Sequence, residues 1–265
     1  MAIYDPENRR MAGIEHKIDC HDAPIEIVAL ADLHIGDKNI DSKAIMDVIH
    51  GIRDTENRYC VLVGDLMNTA IMGSKSDAYG ETMSPMEALQ VCVEMLKPIR
   101  DKILAIVPGN HEERISRAVG VDMTRLLALQ LGLEELFSDS TALVFIRMGQ
   151  NWRCQPITYT LYISHGTGGG RRPGGKLNAL ADLAQVIDAD CFICGHTHLP
   201  ASFRQDSYRI NSSSTCAVRH EQLFVNTASA ISYNGYGRRG GFKPMSNQYP
   251  IITLYNDTHH MTATV

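Results

Sequence analysis

No run of apolar residues in this sequence approaches the ~18 that a helix needs to cross a bilayer. The start, Met1 to Arg10, holds no apolar h-region. We therefore expect no membrane span and no secretory leader. A disulfide framework is missing too. The seven cysteines are odd in number and irregular in spacing, which points to reduced thiols and a cytoplasmic setting. Positive charge is not in excess. The formal net charge is −5, so any anionic partner must be met by a local basic patch or by bound metal. Internal repeats, low-complexity tracts and linkers are absent. A chain of 265 residues, 44% hydrophobic and 21% charged, suits one domain over 1–265 that can bury a real core.

What is present is a series of short apolar runs alternating with helical patterns. Ile25 to Ala31 reads as a buried strand and runs into Asp32-Leu33-His34. Asp41 to Arg53 reads as a helix, with Ile45, Val48, Ile49 and Ile52 at helical spacing. Tyr59 to Val63 is a second strand, ending in Gly64-Asp65, and Met72 to Thr82 reads as a loop. Ser84-Pro85-Met86-Glu87 opens a helix that runs to about Lys97, with Ser84 able to cap and Glu87 to close a capping box. Ile103 to Val107 is a third strand and closes on Pro108-Gly109-Asn110-His111. One or two helices follow between Glu112 and Phe137, with Asp122 as a cap.

The second half is richer in strands: Ala142 to Met148, Ile157 to Ser164, then Ser207–Ile210, Leu223–Val225 and Ile251–Tyr255. A glycine-rich loop is expected from Gly166 to Gly175 and a helix from Asn178 to Ile187. Residues 1–24 are polar and show no clear period. Cys191 and Cys194 form a CxxC, but inside an apolar run their spacing puts them on opposite faces, so we read them as core residues.

The strand ends carry the chemistry. Asp32 and His34, Asp65, Asn110 and His111, His165, and His196 and His198 each stand just beyond an apolar run. In open α/β sheets ligands bind outside the carboxyl ends of strands, so these residues can converge. After Cys191–Cys194, the histidines of Gly195-His196-Thr197-His198 leave the strand on one side if the chain stays extended, although a plain surface turn fits the same residues. Asp, Asn and His without cysteine suit Mn²⁺, Fe or Zn²⁺ rather than a thiolate structural zinc. Seven donors exceed the needs of one ion and suit two that share a carboxylate.

The ordered set Asp32-x-His34, Gly64-Asp65-x-x-Asn68, Gly109-Asn110-His111-Glu112, His165 and Gly195-His196-x-His198 resembles the calcineurin-like metallophosphoesterase superfamily. The resemblance implies a four-layer αββα sandwich, two mixed sheets flanked by helices, with the metal site at the carboxyl ends of strands. It implies that Asp32, His34 and His198 hold one divalent ion, that Asn110, His165 and His196 hold a second, and that Asp65 bridges them. A hydroxide between the ions would attack phosphorus. His111 would sit over the substrate and serve the leaving oxygen. Asn68 departs from the Asp found there in many phosphatases, and the expectation is that its amide carbonyl fixes the His111 tautomer.

Two basic, glycine-rich segments stand outside these motifs. Gly166 to Lys176 contains Arg171 and Arg172, and Tyr233 to Lys243 contains Arg238. Arginine beside glycine can clamp a phosphate, and interleaved tyrosines can stack bases. The alternative for both is a solvated loop. Asp32-Leu33-His34-Ile35-Gly36 is similar to the signature of SbcD-type nucleases, and the motif spacing to exonuclease-like members in phages. The leading expectation is thus a dinuclear, manganese-dependent phosphodiesterase acting on DNA or a nucleotide diester. A phosphomonoesterase or phosphoprotein phosphatase stands as the alternative. A non-catalytic scaffold on the same fold, as in the retromer subunit that resembles this superfamily, is the third reading.

Overall fold

The run Ile25–Leu30 is a strand (β2) buried on both faces. Ile25, Ile27 and Ala29 pack into one apolar cluster, Val28 and Leu30 into another. A strand apolar on both sides needs a layer against each, and this chain supplies both. A computed structural model describes residues 13–19, 23–72, 74, 78–150, 153–168, 170, 172–211, 213–233, 241 and 243–265.

The first sheet has the order β11 (Met261–Thr264), β10 (Ile251–Leu254), β2, β3 (Arg58–Val63) and β4 (Ile103–Val107). Its strands β2, β3 and β4 run parallel, and β10 runs antiparallel to both of its neighbours, β2 and β11. Helices α1 (Ser42–Asp54), α2 (Pro85–Leu96) and α4 (Met123–Leu131) cover its outer face through Ile45, Ile49, Leu89, Leu96 and Leu127. Another helix, α3 (Asn110–Val119), begins three residues after β4 ends. Sequence fixes the helix starts. Asp41 accepts from Ala44 N at 3.0 Å, Asp122 accepts from Arg125 N at 2.9 Å, and Ser84 and Glu87 form the expected capping box.

The second sheet has the order β1 (Gly13–Ile18), β5 (Thr141–Met148), β6 (Ile157–Ser164), β7 (Cys191–Cys194), β9 (Ala217–Asn226) and β8 (Ala201–Ile210). It is mixed as well, with β6, β7 and β9 parallel and β8 antiparallel to β9. Between the sheets lies a cluster that includes Val61, Val63, Val144, Tyr159, Ile163 and Val225. On the far side, α5 (Pro173–Ala181) packs Leu180 against Tyr162, Phe192 and Phe224. Phe224 stacks on Phe192 at 4.9 Å and on Phe203 at 4.7 Å. Two mixed sheets flanked by helices is the architecture expected. No helix among the described residues is long and apolar enough to cross a membrane.

Several elements differ from the sequence reading. The polar start contains a strand, β1, whose alternate residues are half-buried and which pairs in parallel with the distant β5. The glycine-rich loop is shorter than expected, because Pro173 takes the first position of α5 and the helix runs through Gly174 and Gly175. That helix ends at Ala181 and a 3₁₀ turn, Asp182–Gln185, follows. The runs at 207–210 and 223–225 are pieces of one long hairpin, β8–β9, paired over ten residues on each side. Cys191 faces the space between the sheets and Cys194 the α5 side, both buried core thiols.

At the end of the second sheet remote from the β6 and β7 carboxyl ends, one carboxylate ties four segments together. Asp190 accepts from Thr160 N of β6 at 2.7 Å and lies 2.8 Å from His220 Nε2 of β9. His259 Nε2, from the β10–β11 turn, is 3.6 Å away, and Arg209 Nη1 of β8 is 3.7 Å away. Burial pushes Asp190 up, but His259, the Thr160 N–H and His220 outweigh it and bring it down to about 2. The folded value lies below the ordinary ~3.9. The stabilisation is therefore complete above that value and lost as pH falls from about 4 towards 2, roughly 2 kcal/mol in all. Urea unfolding between pH 6 and pH 2 should show this loss in the wild type. In Asp190→Asn that component should be missing, and an unchanged pH profile would contradict the assignment.

Candidate metal centre

Parallel strands of both sheets end on the same side of the molecule, and the side chains just beyond them meet. Asp32 and His34 follow β2, Asp65 follows β3, Asn110 opens α3 after β4, His165 follows β6, and His196 and His198 follow β7. Three overlapping groups of donors result. Asp32, His34 and His198 form one, His34, Asp65 and His111 a second, and Asp65, His165 and His196 a third, with the donor atoms of each within 4.8 Å of one another. Asn110 joins the last group through Oδ1, 3.3 Å from His165 Nε2.

The backbone is strained to achieve this. Asp32 (φ 52°), His34 (φ 49°), Asp65 (φ 50°), His196 (φ 65°) and His198 (φ 52°) all have left-handed backbone. Few residues other than glycine adopt that region, Asp and His among the more tolerant, at a cost of about 1–3 kcal/mol each. Thus His196 and His198 do not continue the strand in extended form, as their spacing suggested; the chain turns at each. Thr197 N donates to Gly195 O at 2.7 Å, which with the φ of His196 makes a γ-turn of the rare, strained kind.

Contacts between the two sheets hold these turns. His165 Nδ1 donates to Val63 O at 2.7 Å and His196 N donates to Asp32 Oδ2 at 2.9 Å. The stretch Asn226-Thr227-Ala228-Ser229 locks the end of β2. Thr227 Oγ1 donates to Ala29 O, and Ser229 Oγ and Ala230 N both donate to Asp32 O at 3.0 Å. Glu112 does the same for the loop after β3. Its carboxylate accepts from Asp65 N at 3.0 Å, Met67 N at 2.8 Å and Gly109 N at 3.0 Å. Only glycine fits at 109, since a Cβ there would lie 2.1 Å from Asp65 Oδ1.

The donors suit divalent ions. Asp32 is fully buried, yet its Oδ1 has no hydrogen bond. That oxygen lies 3.1 Å from His198 Nε2 and 3.7 Å from His34 Nε2, and those two nitrogens are 3.3 Å apart. Likewise His165 gives its Nδ1 proton to Val63 O, so in the neutral ring Nε2 presents a lone pair, 3.2 Å from Asp65 Oδ2. Lone pairs facing one another at about 3 Å are what two ligands of one ion at ~2.1 Å present. A histidine ligand whose other nitrogen donates to a carbonyl is the usual orienting device.

Electrostatics agree. Burial pushes Asp32 up, but His198 and His34 outweigh it and hold the carboxyl well below its usual range. Asp65 is held low by His165 and His111 in the same way, against its own burial. Burial pulls His165 down, but the Asp65 and Asp32 charges raise it to about 10. His196 is lowered by burial and by His165. Burial, with the Asp65 charge beside it, pushes Glu112 up to about 7, while the Met67 N–H favours its ionised form. The centre therefore keeps two anionic carboxylates that draw positive charge. Without an ion a proton on His165 Nε2 meets Asp65, and a bound cation would take that proton's place and leave the neutral ring with its lone pair.

His111 stands at the first turn of α3. Its Nε2 is 3.6 Å from Asp65 Oδ2 and its ring meets that of His34 edge-on at 4.4 Å. Burial and His34 lower it to about 3. Its Nδ1 donates to the main-chain carbonyl of Asn68 at 2.9 Å. This corrects the sequence reading, in which the Asn68 amide fixed the tautomer. The amide instead donates from Nδ2 to Glu81, and Glu81 also accepts from Ala70 N at 3.3 Å. Arg114, one turn after His111, donates to the same Asn68 carbonyl at 3.4 Å. No sequence signal marked Glu81 or Arg114. Glu112 was legible in its motif, but its role was not. Arg172 is exposed just before α5, and Arg171 and Arg238 lie outside the described residues.

Comparison with known proteins adds the following. A family model described as calcineurin-like phosphoesterase matches residues 25–200. No curated protein matches the chain. Among solved structures, Vacuolar Protein Sorting 29 from Cryptosporidium parvum is 16% identical, with 92% of this chain and 97% of that one covered and a TM-score of 0.47. The calcineurin-like phosphoesterase YfkN from Bacillus subtilis is 12% identical, with coverage of 88% and 85% and a TM-score of 0.39. Pseudomonas putida nuclease MPE is 13% identical, with coverage of 90% and 87% and a TM-score of 0.35.

Removing the Glu112 carboxylate would leave three buried N–H groups without their acceptor, each worth about 1–3 kcal/mol. We expect Glu112→Ala to lose at least about 3 kcal/mol in denaturant unfolding of the metal-free protein, and Glu112→Gln to lose less. An Ala variant as stable as wild type would mean that this clamp carries no load.

Proposed function

Because the chain belongs to the calcineurin-like phosphoesterase family, we propose that it is a metal-dependent phosphodiesterase holding two divalent ions, with DNA or a nucleotide diester as substrate. The observation that carries the two-ion reading is the pair of donor groups on either side of Asp65, with buried, unbonded Asp32 Oδ1 directed at one of them. In this reading Asp32, His34 and His198 hold one ion, Asn110, His165 and His196 the other, and Asp65 is shared. Oxygen and nitrogen donors without thiolate fit Mn²⁺, Fe or Zn²⁺, and manganese is the ion we take into the tests. When bound, such ions lower the pKa of water and neutralise phosphoryl charge.

The residues of the chain do the rest. The turns at Asp32, His34, Asp65, His196 and His198 are fixed before any ligand arrives, so no reorganisation is needed at the moment of reaction. His111 gives its Nδ1 proton to Asn68 O and presents Nε2 beside Asp65. A bound phosphoryl anion opposes the burial that keeps this ring neutral. The protonated ring then has Nε2–H to give to the leaving oxygen. Asn68 acts through its backbone, and its side chain, held by Glu81, fixes the loop that carries that carbonyl. Arg172 is retained as a contact for the substrate anion on its exposure and its place after the His165 loop. Arg171 and Arg238 are retained on sequence alone. The diester choice is supported by the Asp-Leu-His-Ile-Gly resemblance and by these basic segments.

The direct test is hydrolysis of bis-p-nitrophenyl phosphate beside p-nitrophenyl phosphate with Mn²⁺, followed by single-stranded and duplex DNA. We expect faster cleavage of the diester; preference for the monoester with inert DNA would replace this reading by a phosphomonoesterase. His111→Ala should lower kcat about 10²–10⁴-fold and leave Mn²⁺ binding intact in calorimetry. Retained turnover would remove His111 from the mechanism.

A further inference from the structure

The basic, glycine-rich segment after His165 looks from sequence like a solvent-facing anion clamp. One of its cations faces the other way. Lys176, in the first turns of α5, is only 8% exposed, and one helical turn later Leu180 is buried on the same face. Its Nζ donates to Thr197 O at 2.6 Å. Thr197 is the residue between His196 and His198, so the ammonium grips the carbonyl of the peptide that leads into His198.

That turn has reason to need a grip. His196 and His198 both have left-handed backbone, and the γ-turn at His196 is strained. Strain of this kind persists only where surrounding contacts over-determine it. Those contacts come from several sides. Gly195 N donates to His165 O at 3.1 Å and His196 N to Asp32 Oδ2 at 2.9 Å. Asn226 Nδ2 donates to Thr197 Oγ1 at 2.7 Å and to Leu199 O at 2.6 Å. Lys176 supplies the one full positive charge in this set. Among the described residues its ammonium has no carboxylate partner and a single hydrogen bond, to Thr197 O. Burying a cation that way costs free energy, which a merely space-filling role would avoid with an apolar side chain.

We propose that Lys176 is a positioning residue for the metal centre, holding the Gly195–His198 turn so that His196 and His198 present their rings to two different ions. The inference rests on the two-ion reading of the site. It also separates the stability of the protein from the affinity of the site. Lys176→Met keeps the buried stem, removes the desolvated charge and leaves one carbonyl with a free lone pair, changes that offset one another in the fold. In the metal-free protein the urea midpoint should stay at or above wild type. The Kd for Mn²⁺ should rise about 10–100-fold at both sites, the range typical when an outer partner of a metal ligand is removed.

The experiment is calorimetric titration of metal-free wild type and Lys176→Met with Mn²⁺, together with ring-nitrogen NMR of the metal-free proteins. The expected result is weakened binding at both sites and shifted signals for His196 and His198, with those of His34 and His111 in place. Wild-type Mn²⁺ affinity in the variant with unmoved His196 and His198 signals would overturn the proposal. So would a fall in the urea midpoint that accounts for the whole loss of affinity. If wild type itself bound fewer than two ions, the two-ion reading would fail. The ring signals of the metal-free variant would still decide whether Lys176 holds the turn.

Discussion

The centre depends on two sheets packed face to face, with the carboxyl ends of β2, β3, β6 and β7 held in register at one rim by bonds between side-chain and main-chain atoms. His165 Nδ1 to Val63 O and His196 N to Asp32 Oδ2 each join one sheet to the other. Thr227 and Ser229 bind the end of β2 from the end of β9. Without these bonds the two halves of the donor set would sit on separate layers. The apolar cluster between the sheets sets their distance, and the polar bonds at the rim set their register.

The same region concentrates strain and buried charge. Asp32, Asp65 and Glu112 are buried carboxylates within one small volume, and five donor residues hold left-handed backbone. Each is costly alone. They are tolerated because most of the carboxylate oxygens not aimed at the donor cluster have N–H partners, although His34 Nδ1 is buried without one. Glu112 is satisfied by three N–H groups, Asp65 Oδ1 by His111 N, and Asp32 Oδ2 by His196 N. Among these carboxylate oxygens Asp32 Oδ1 is left unbonded, and it faces the Nε2 atoms of His198 and His34. Folding itself thus fixes the geometry of the candidate donors, with no ligand needed to assemble them.

The environment of His111 shows how identity and position can part. A reading of residue types alone weighs Asn68 against the carboxylate that many phosphatases carry at that place. In the folded chain the group that meets His111 Nδ1 is a backbone carbonyl, which any residue at 68 would offer. The side chain of Asn68 matters for the loop, through Glu81, and so for where that carbonyl lies. Lys176 makes the same point in reverse. It belongs to a segment that reads as an exposed anion clamp, yet it is an inward-facing anchor.

The sequence by itself determined the candidate donors, their order and the strand ends that carry them. It also determined the helix starts at Asp41, Ser84 and Asp122, because caps, apolar runs and their periods are local properties of a chain. It marked Cys191 and Cys194 as core residues by the same argument. Only the tertiary structure decided that Gly13–Ile18 is a strand, since its partner β5 lies far along the chain. Burial of Lys176 and Leu180 against the second sheet likewise accompanies a helix through Gly174 and Gly175. The turning of His196 and His198 out of the strand, the bond from Asn68 O to His111 and the inward grip of Lys176 were equally hidden. Each depends on contacts between residues remote in sequence, and no local pattern encodes which distant atom will satisfy a given polar group.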